Sequence, residues 1–487
     1  MRTDTIAAIA TALSDSGIGI IRVSGEEAIP IVHKIYRNKR NEEVLSDYES
    51  HTIHYGYIVE NNGDLIDEVM VSVMMAPHSY TTEDTVEINC HGGVLMMKKI
   101  LMTVIEAGAR LAEPGEFTKR AFLNGRIDLS RAEAVMDTIH AKNQFALKSS
   151  VKQLRGSVFK KVKELREKIL YEIAFIESAL DDSEHISLDG YTEKLSDQVC
   201  SFVKELNKLL DSADDGKMLK EGIRTVIVGK PNVGKSSLLN LLVGQERAIV
   251  TDVAGTTRDT LEETINLGDI TLHITDTAGI RSTEDVVEKI GVEKAKTISE
   301  DADLILYVID SSIPLDENDL DILRMVEDKK TIILLNKSDL EEVTDKVSVD
   351  DLLSKVTKKS SRVYELHEGK DEEEKQWNEN ETIFIIKISA KDEEGLDCLV
   401  DLIKKMFFHG QIFYEDEICI TSSRHKEALM ETLESMRQVQ VSLDKQMPED
   451  FYSIDLMNAY VSLGRIIGEE VEDDLVNEIF SKFCMGK

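Results

Sequence analysis

Apolar positions along this chain recur with different periods, and each change of period marks a change of architecture. Over residues 1–121, short stretches such as Gly19-Ile20-Ile21-Arg22-Val23 and Thr85-Val86-Glu87-Ile88 sit between glycine turns and helical segments, which predicts an α/β domain. From about Leu129 the spacing lengthens. Val151, Leu154, Val158, Val162, Leu165, Ile169, Ile173 and Ile176 recur every three or four residues, one face of a long amphipathic helix that needs partners along its length. Leu429, Leu433, Met436 and Val439, then Leu475, Ile479 and Phe480, offer them. Residues 122–218 and 405–487 are therefore expected to pack as one helical domain in two pieces; two separate helical units remain the alternative. Between them, residues 219–404 alternate apolar strands (Thr225–Val228, Leu272–Thr275, Leu304–Ile309, Ile332–Leu335, Phe384–Ile388) with helical segments, the mark of a doubly wound parallel sheet. Residues 340–381 break this rhythm with a polar, charge-rich stretch that has little to bury, and a mobile surface loop is expected there.

Composition narrows the class. At 487 residues the chain exceeds one hydrophobic core, and 42% apolar content suits several folded domains rather than a disordered chain. No apolar run reaches the ~18 residues of a membrane span. The first residues carry Asp4 and Asp15 and lack a basic start and a long apolar core, so no signal peptide is read and a cytoplasmic protein is expected. Five scattered cysteines without CxxC spacing argue for reduced thiols. A net charge of −34 opposes non-specific nucleic-acid binding over the whole surface. Lys148–Lys168, with eight Lys/Arg and two Glu, is a local exception, read first as a solvated helix face and second as an RNA-facing surface.

The chemistry is written in four ordered motifs. Gly229-Lys230-Pro231-Asn232-Val233-Gly234-Lys235-Ser236 follows a strand and opens a helix, as GxxxxGK[ST] phosphate loops do. Backbone amides of Asn232, Val233, Gly234, Lys235, Ser236 and Ser237 would surround phosphate oxygens, Lys235 would reach the β and γ phosphates, and Ser236 would ligate Mg²⁺. Asp276-Thr277-Ala278-Gly279 has the form of a metal-side acid with a γ-phosphate sensor. Asn336-Lys337-Ser338-Asp339 matches the NKxD signature of Ras-like GTPases, where the carboxylate accepts from guanine N1–H and N2–H, which adenine does not offer. Ser389-Ala390-Lys391 looks like the loop that supports the base. Thr256-Thr257-Arg258-Asp259 lies where the first switch belongs, with Thr257 the better second hydroxyl for Mg²⁺. After Asp276-Thr277-Ala278-Gly279 stands Ile280, which cannot orient water as the Gln of Ras does; Glu288 is the favoured acid for that task, with Arg281, Glu284 and Asp285 as competitors.

Beyond these motifs the whole chain resembles the MnmE (TrmE) family of bacterial tRNA-modification GTPases. The likeness rests on Gly17–Gly25 (GIGIIRVSG), Glu83–Gly93 (EDTVEINCHGG), Pro114–Ala134, Val250–Glu263 and the ending Phe483-Cys484-Met485-Gly486-Lys487, a Cys-x-Gly-Lys terminus. The resemblance implies an N-terminal α/β folate-binding and dimerising domain, a discontinuous helical domain and an inserted Ras-like G domain. It implies work with the flavoprotein MnmG on the wobble uridine of tRNA, adding an aminomethyl or carboxymethylaminomethyl group at C5. It implies a homodimer, no membrane, and 5-formyltetrahydrofolate or a related one-carbon folate at Arg22, Glu87, Arg126 and Lys487. It also implies a potassium ion held by Asn232, Thr251, Val253 and Thr256, and it points to Glu288 as the water-positioning acid. Cys484 is a further candidate, as a thiol towards uridine C6. Ala12-Leu13-Ser14-Asp15-Ser16 departs from the family's Gly/Pro-rich stretch, and the 340–381 insert looks long. The competing readings are a ribosome-assembly GTPase of the Era or Der type and a GTP-gated scaffold.

Overall fold

The computed structural model describes residues 4–43, 45–182, 185, 190–244, 262–268, 270–276, 302–326, 329–357, 359–364, 382–408, 418–469, 473–481, 483 and 486. The chain divides into two compact units: residues 1–140, 150–206 and 428–487, and residues 141–149 with 207–427.

The first unit holds a seven-stranded sheet of β1 (Ile6–Ile9), β2 (Ser16–Ser24), β3 (Tyr36–Asn38), β4 (Thr52–Val59), β5 (Leu65–Met74), β6 (Thr85–Gly92) and β7 (Arg110–Leu111), in the order β3-β4-β5-β6-β2-β1-β7. Its pairs are antiparallel except β1 with β7. Alternation along β5 turns Val69, Val71 and Val73 inward, where they share a core with Ile21, Val23, Val86 and Ile88 and with Val32, Met97 and Ile100 of the helices Ala28–Ile35 and Val94–Glu106. The opposite register leaves Ile53, Tyr55 and Met70 exposed.

Helices complete this unit. The periodic run from Val151 to Ile176 is not one helix but two, Gln144–Leu154 and Ser157–Asp181. The break falls at Gly156, whose φ of +85° suits glycine, and a Cβ there would meet the Arg131 guanidinium at 2.2 Å. Ser157–Asp181 packs on Glu449–Ile467, a helix that the sequence pattern did not single out as its partner. Arg166 crosses between them, donating to the Tyr460 carbonyl at 3.2 Å, lying 3.9 Å from the Tyr460 ring and pairing with Glu469. Leu429, Leu433, Met436 and Val439 are buried on the helix Ser423–Asp444.

The second unit holds the other seven-stranded sheet: β8 (Ile223–Val228), β9 (Glu262–Leu267), β10 (Ile270–Asp276), β11 (Leu304–Asp310), β12 (Thr331–Asn336), β13 (Ser360–Val363) and β14 (Thr382–Lys387). Their order is β13-β14-β12-β11-β8-β10-β9, parallel except for the β9–β10 hairpin. β11 and β12 are buried at every position because both faces are covered, one around Leu304, Leu306 and Val308, the other around Ile305, Tyr307 and Ile309. The expected surface loop at 340–381 is corrected in its described part. Asp345 caps a helix, Lys346–Leu353, by accepting from the Ser348 amide at 2.9 Å, and Val349, Leu352 and Leu353 bury one face of it. β13 then extends the sheet beside β14.

Among the described residues no helix is long and apolar enough to cross a membrane. Cys90, Cys200, Cys398 and Cys419 are in no disulfide.

Candidate functional sites

The nucleotide motifs gather at the carboxyl ends of parallel strands, where ligands of doubly wound sheets bind. Gly229 leaves β8, and the chain turns through Asn232 at φ 64° and Gly234 at φ 100° before the helix Lys235–Gly244 begins. This alternation aims successive amides at one point. Lys235 Nζ donates to the carbonyls of Gly229 and Lys230 at 2.8 and 2.7 Å.

Asn336, at the end of β12, is buried and joins three motifs with one amide. Its Nδ2 donates to the Val233 carbonyl at 2.8 Å, and its Oδ1 accepts from the Ala390 amide at 3.1 Å. A Cβ on Gly234 would lie 2.1 Å from that Nδ2, so the close approach of loop to strand requires glycine. Lys337, at φ 65°, donates to Asp310 at 2.5 Å. Burial, the largest influence, pushes the Asp310 carboxyl up, but the bonds from Lys337 and Ser312 together hold it below the usual carboxylate range. Asp339 Oδ1 accepts from Ser389 Oγ at 3.2 Å, and Lys391 Nζ lies 3.7 Å from Oδ2, so the Ser389-Ala390-Lys391 loop orients the carboxylate.

Ser236 and Ser237 are exposed at the start of the helix Lys235–Gly244. Asp276 ends β10, opposite Ile227 of β8, and its side chain is not described. Thr251, Val253, Thr256, Thr257, Thr277, Ala278, Gly279 and Glu288 lie outside the described residues, as do Cys484 and Lys487.

In the first unit, Arg22 and Glu87 are direct cross-strand partners on β2 and β6, and Arg22 Nε donates to Glu87 Oε1 at 2.8 Å. Another nitrogen of Arg22 donates to the Gly486 carbonyl at 3.1 Å. Gly486 has φ +91°, and a Cβ there would lie 2.2 Å from the Ile9 carbonyl, so this close approach to β1 requires glycine. Arg126 donates to the Tyr80 carbonyl at 3.0 Å, and its guanidinium stands 4.9 Å from the Tyr80 ring. Arg22 lies 5.6 Å from the same ring. Arg22 and Arg126 thus meet at Tyr80, with Glu87 joined to them through Arg22, and Tyr80 and Arg126 line an open cavity of about 580 Å³.

Two family models match the chain: the GTP-binding protein TrmE N-terminus over residues 5–126 and the MnmE helical domain over residues 129–484. A tRNA modification GTPase MnmE of Lachnoclostridium phytofermentans is 55% identical over 487 residues, covering 100% of both chains. That of Clostridioides difficile is 47% identical over 99% of both. The chain belongs to the MnmE family of tRNA modification GTPases. A solved structure of Aquifex aeolicus Era bound to GDP and aluminium fluoride is 30% identical, with 44% of this chain and 67% of that one covered and a TM-score of 0.26. The two MnmE-family models account for the chain on both sides of the nucleotide motifs, which sets aside the Era or Der reading.

Several residues around the MnmE-type motifs escaped the sequence reading. Tyr80 sits in a loop without periodicity, where nothing marks it as the ring between two arginines. Lys230, a variable position of the phosphate loop, donates to Asp316 and Asp319 at 3.0 and 2.7 Å, and Tyr307 donates to Asp319 at 2.7 Å from beneath. Only the Asp316-x-x-Asp319 capping pattern hinted at this network. In the basic run, Lys161 and Lys168 pair with Glu164 and Glu205, and Arg166 is buried; these three bases serve internal contacts.

Proposed function

We propose that this chain couples GTP hydrolysis to modification of C5 of the wobble uridine (U34) of tRNA, adding an aminomethyl or carboxymethylaminomethyl group together with MnmG. The observation that carries the nucleotide part is the Asn336 side chain bridging Val233 and Ala390, with Asp339 steered by Ser389 next to it. That arrangement supports a base held at Asp339 and Lys337 and phosphates held over Asn232–Ser237.

The loop suits phosphate: its glycines admit no Cβ, and its amides and Lys235 are donors only. Ser236 and Thr257 are the hydroxyls that would hold Mg²⁺, which when bound neutralises charge between the β and γ phosphates. Asn232, Thr251, Val253 and Thr256 would offer neutral oxygens suited to K⁺, and Asp276 to Gly279 would face the γ-phosphate. Glu288 would orient the attacking water, a task Ile280 cannot perform. Switch ordering costs conformational entropy, which pairing of two G domains would offset.

On the one-carbon side, Arg22, Arg126 and Lys487 suit the carboxylates of a 5-formyltetrahydrofolate-like carrier, and Glu87 suits its pterin N–H groups. The exposed Ile53, Tyr55 and Met70 on one sheet face support a homodimer through this domain.

The reading is tested by GTPase rate at equal ionic strength in KCl and NaCl, with sedimentation in GDP and aluminium fluoride. Faster turnover in KCl and association of G domains are expected, with Glu288→Ala losing most turnover while keeping GTP affinity. Equal rates and monomeric G domains would overturn the potassium-assisted mechanism.

A further inference from the structure

The cavity beside Tyr80 extends past the residues expected to hold the folate itself. It is lined by His51, Met74, Pro77, His78, Ser79, Tyr80, Thr82, Asn124, Gly125 and Arg126. In a chain of net charge −34, none of these is a carboxylate. The two acids of the same loop are engaged elsewhere. Glu83 accepts from Ser24 at 2.8 Å and from Arg120 at 3.1 Å, and Asp84 accepts from the Ala76 amide at 2.8 Å.

The charged groups fall in a series. Glu87 pairs with Arg22 at 2.8 Å, Arg22 lies 5.6 Å from the Tyr80 ring, and Arg126 lies 4.9 Å from that ring. Arg126 also lines the cavity, with His51 and His78. A guanidinium carries five N–H donors, and one of Arg126's is spent on the Tyr80 carbonyl. Each imidazole offers at least one N–H in either tautomer, and the His51 Nδ1 lies 2.8 Å from Ser50 Oγ, which leaves Nε2 for a ligand.

A ligand whose pterin end meets Glu87 and whose first carboxylate meets Arg126 therefore has its tail directed into a cavity of N–H donors without competing acids. From this we infer that the cavity is a subsite for the γ-linked polyglutamate tail of the one-carbon folate, with His51 and His78 as its tail-binding residues. The inference rests on the folate reading above and extends it from the carrier's head to the form in which it is preferred.

The test uses the full chain and two probes, 5-formyltetrahydrofolate carrying one glutamate and the same compound carrying five γ-linked glutamates, titrated by calorimetry at fixed salt. The pentaglutamate should bind roughly tenfold tighter, the scale of a few partly exposed charge contacts. His51 has φ 63°, so it is replaced by glycine to avoid backbone strain. His51→Gly combined with His78→Ala should bring the two affinities within about twofold while leaving the monoglutamate affinity unchanged, which also reports that the domain is folded. His78→Asp should weaken the pentaglutamate selectively. Equal affinities in the unaltered chain, or a preference that survives the double substitution, would overturn the subsite while leaving folate binding intact. No binding of either compound would overturn the folate reading, and the subsite with it. A loss of tRNA affinity in the double variant with tail preference unchanged would reassign the cavity to a phosphodiester and overturn the inference.

Discussion

On the proposed reading, Asp339 carries the choice of nucleotide. Its carboxylate, steered by Ser389, matches two guanine donors, and Asp339→Asn replaces one acceptor with a donor that opposes guanine N–H. The variant should lose guanine-nucleotide affinity by about 1–3 kcal/mol, the scale of a paired base contact, and gain relative affinity for xanthine nucleotides in competition binding. Asp319 is buried against Lys230 and Tyr307, so Asp319→Ala strands the Tyr307 hydroxyl, leaves Lys230 with Asp316 alone, and should lower stability by about 1–3 kcal/mol in denaturant unfolding. The Asp310–Lys337 pair gives a pH signature. The folded Asp310 carboxyl is held below its unfolded value, so its stabilisation is complete above about pH 4 and is lost as pH falls through the lower folded value. The Tm deficit of Lys337→Met should accordingly be full at neutral pH and shrink below pH 4. Burial pushes the Cys90 thiol up to about 11, so it should alkylate more slowly at pH 8 than the half-buried Cys398, read by mass spectrometry.

At the scale of elements, the buried parallel strands were the most legible. LILYVI and TIILLN are continuous apolar runs because both sheet faces are covered, and the observed strands differ from the expected ones by a residue or two at their ends. Two elements were hidden for physical reasons. β9 lies at a sheet edge, where only Ile265 and Leu267 turn inward and the alternation is short. The helix Lys346–Leu353 hides in a charged stretch because three apolar residues and one Asp cap suffice for two turns against an existing core. Gly156 shows the reverse case, an unbroken hydrophobic period across a broken helix, since periodicity records which face is buried and not whether the backbone is continuous. In the site, motif residues were readable one by one, but their connection through Asn336 depends on the sheet bringing β8, β12 and the segment after β14 to one end. Gly234→Ala tests that connection. With φ 100° and a Cβ 2.1 Å from Asn336 Nδ2, it should cost about 1–3 kcal/mol and weaken GTP binding in titration.

For the whole molecule, each compact unit carries its own sheet, core and candidate site, so the two activities should be separable by mutation. Gly486→Ala, which pushes a methyl against the Ile9 carbonyl, should reduce folate affinity while leaving GTP turnover largely intact. A net charge of −34 opposes non-specific RNA attraction over the whole surface, so the proposed recognition of tRNA would have to be local. The measurement that bears most directly on this account is the nucleoside content of tRNA from cells lacking the chain, analysed by liquid chromatography and mass spectrometry. The account predicts loss of the C5-substituted wobble uridine, restored by the intact gene and not by a Glu288→Ala version. Unchanged wobble nucleosides in the deleted strain would contradict it.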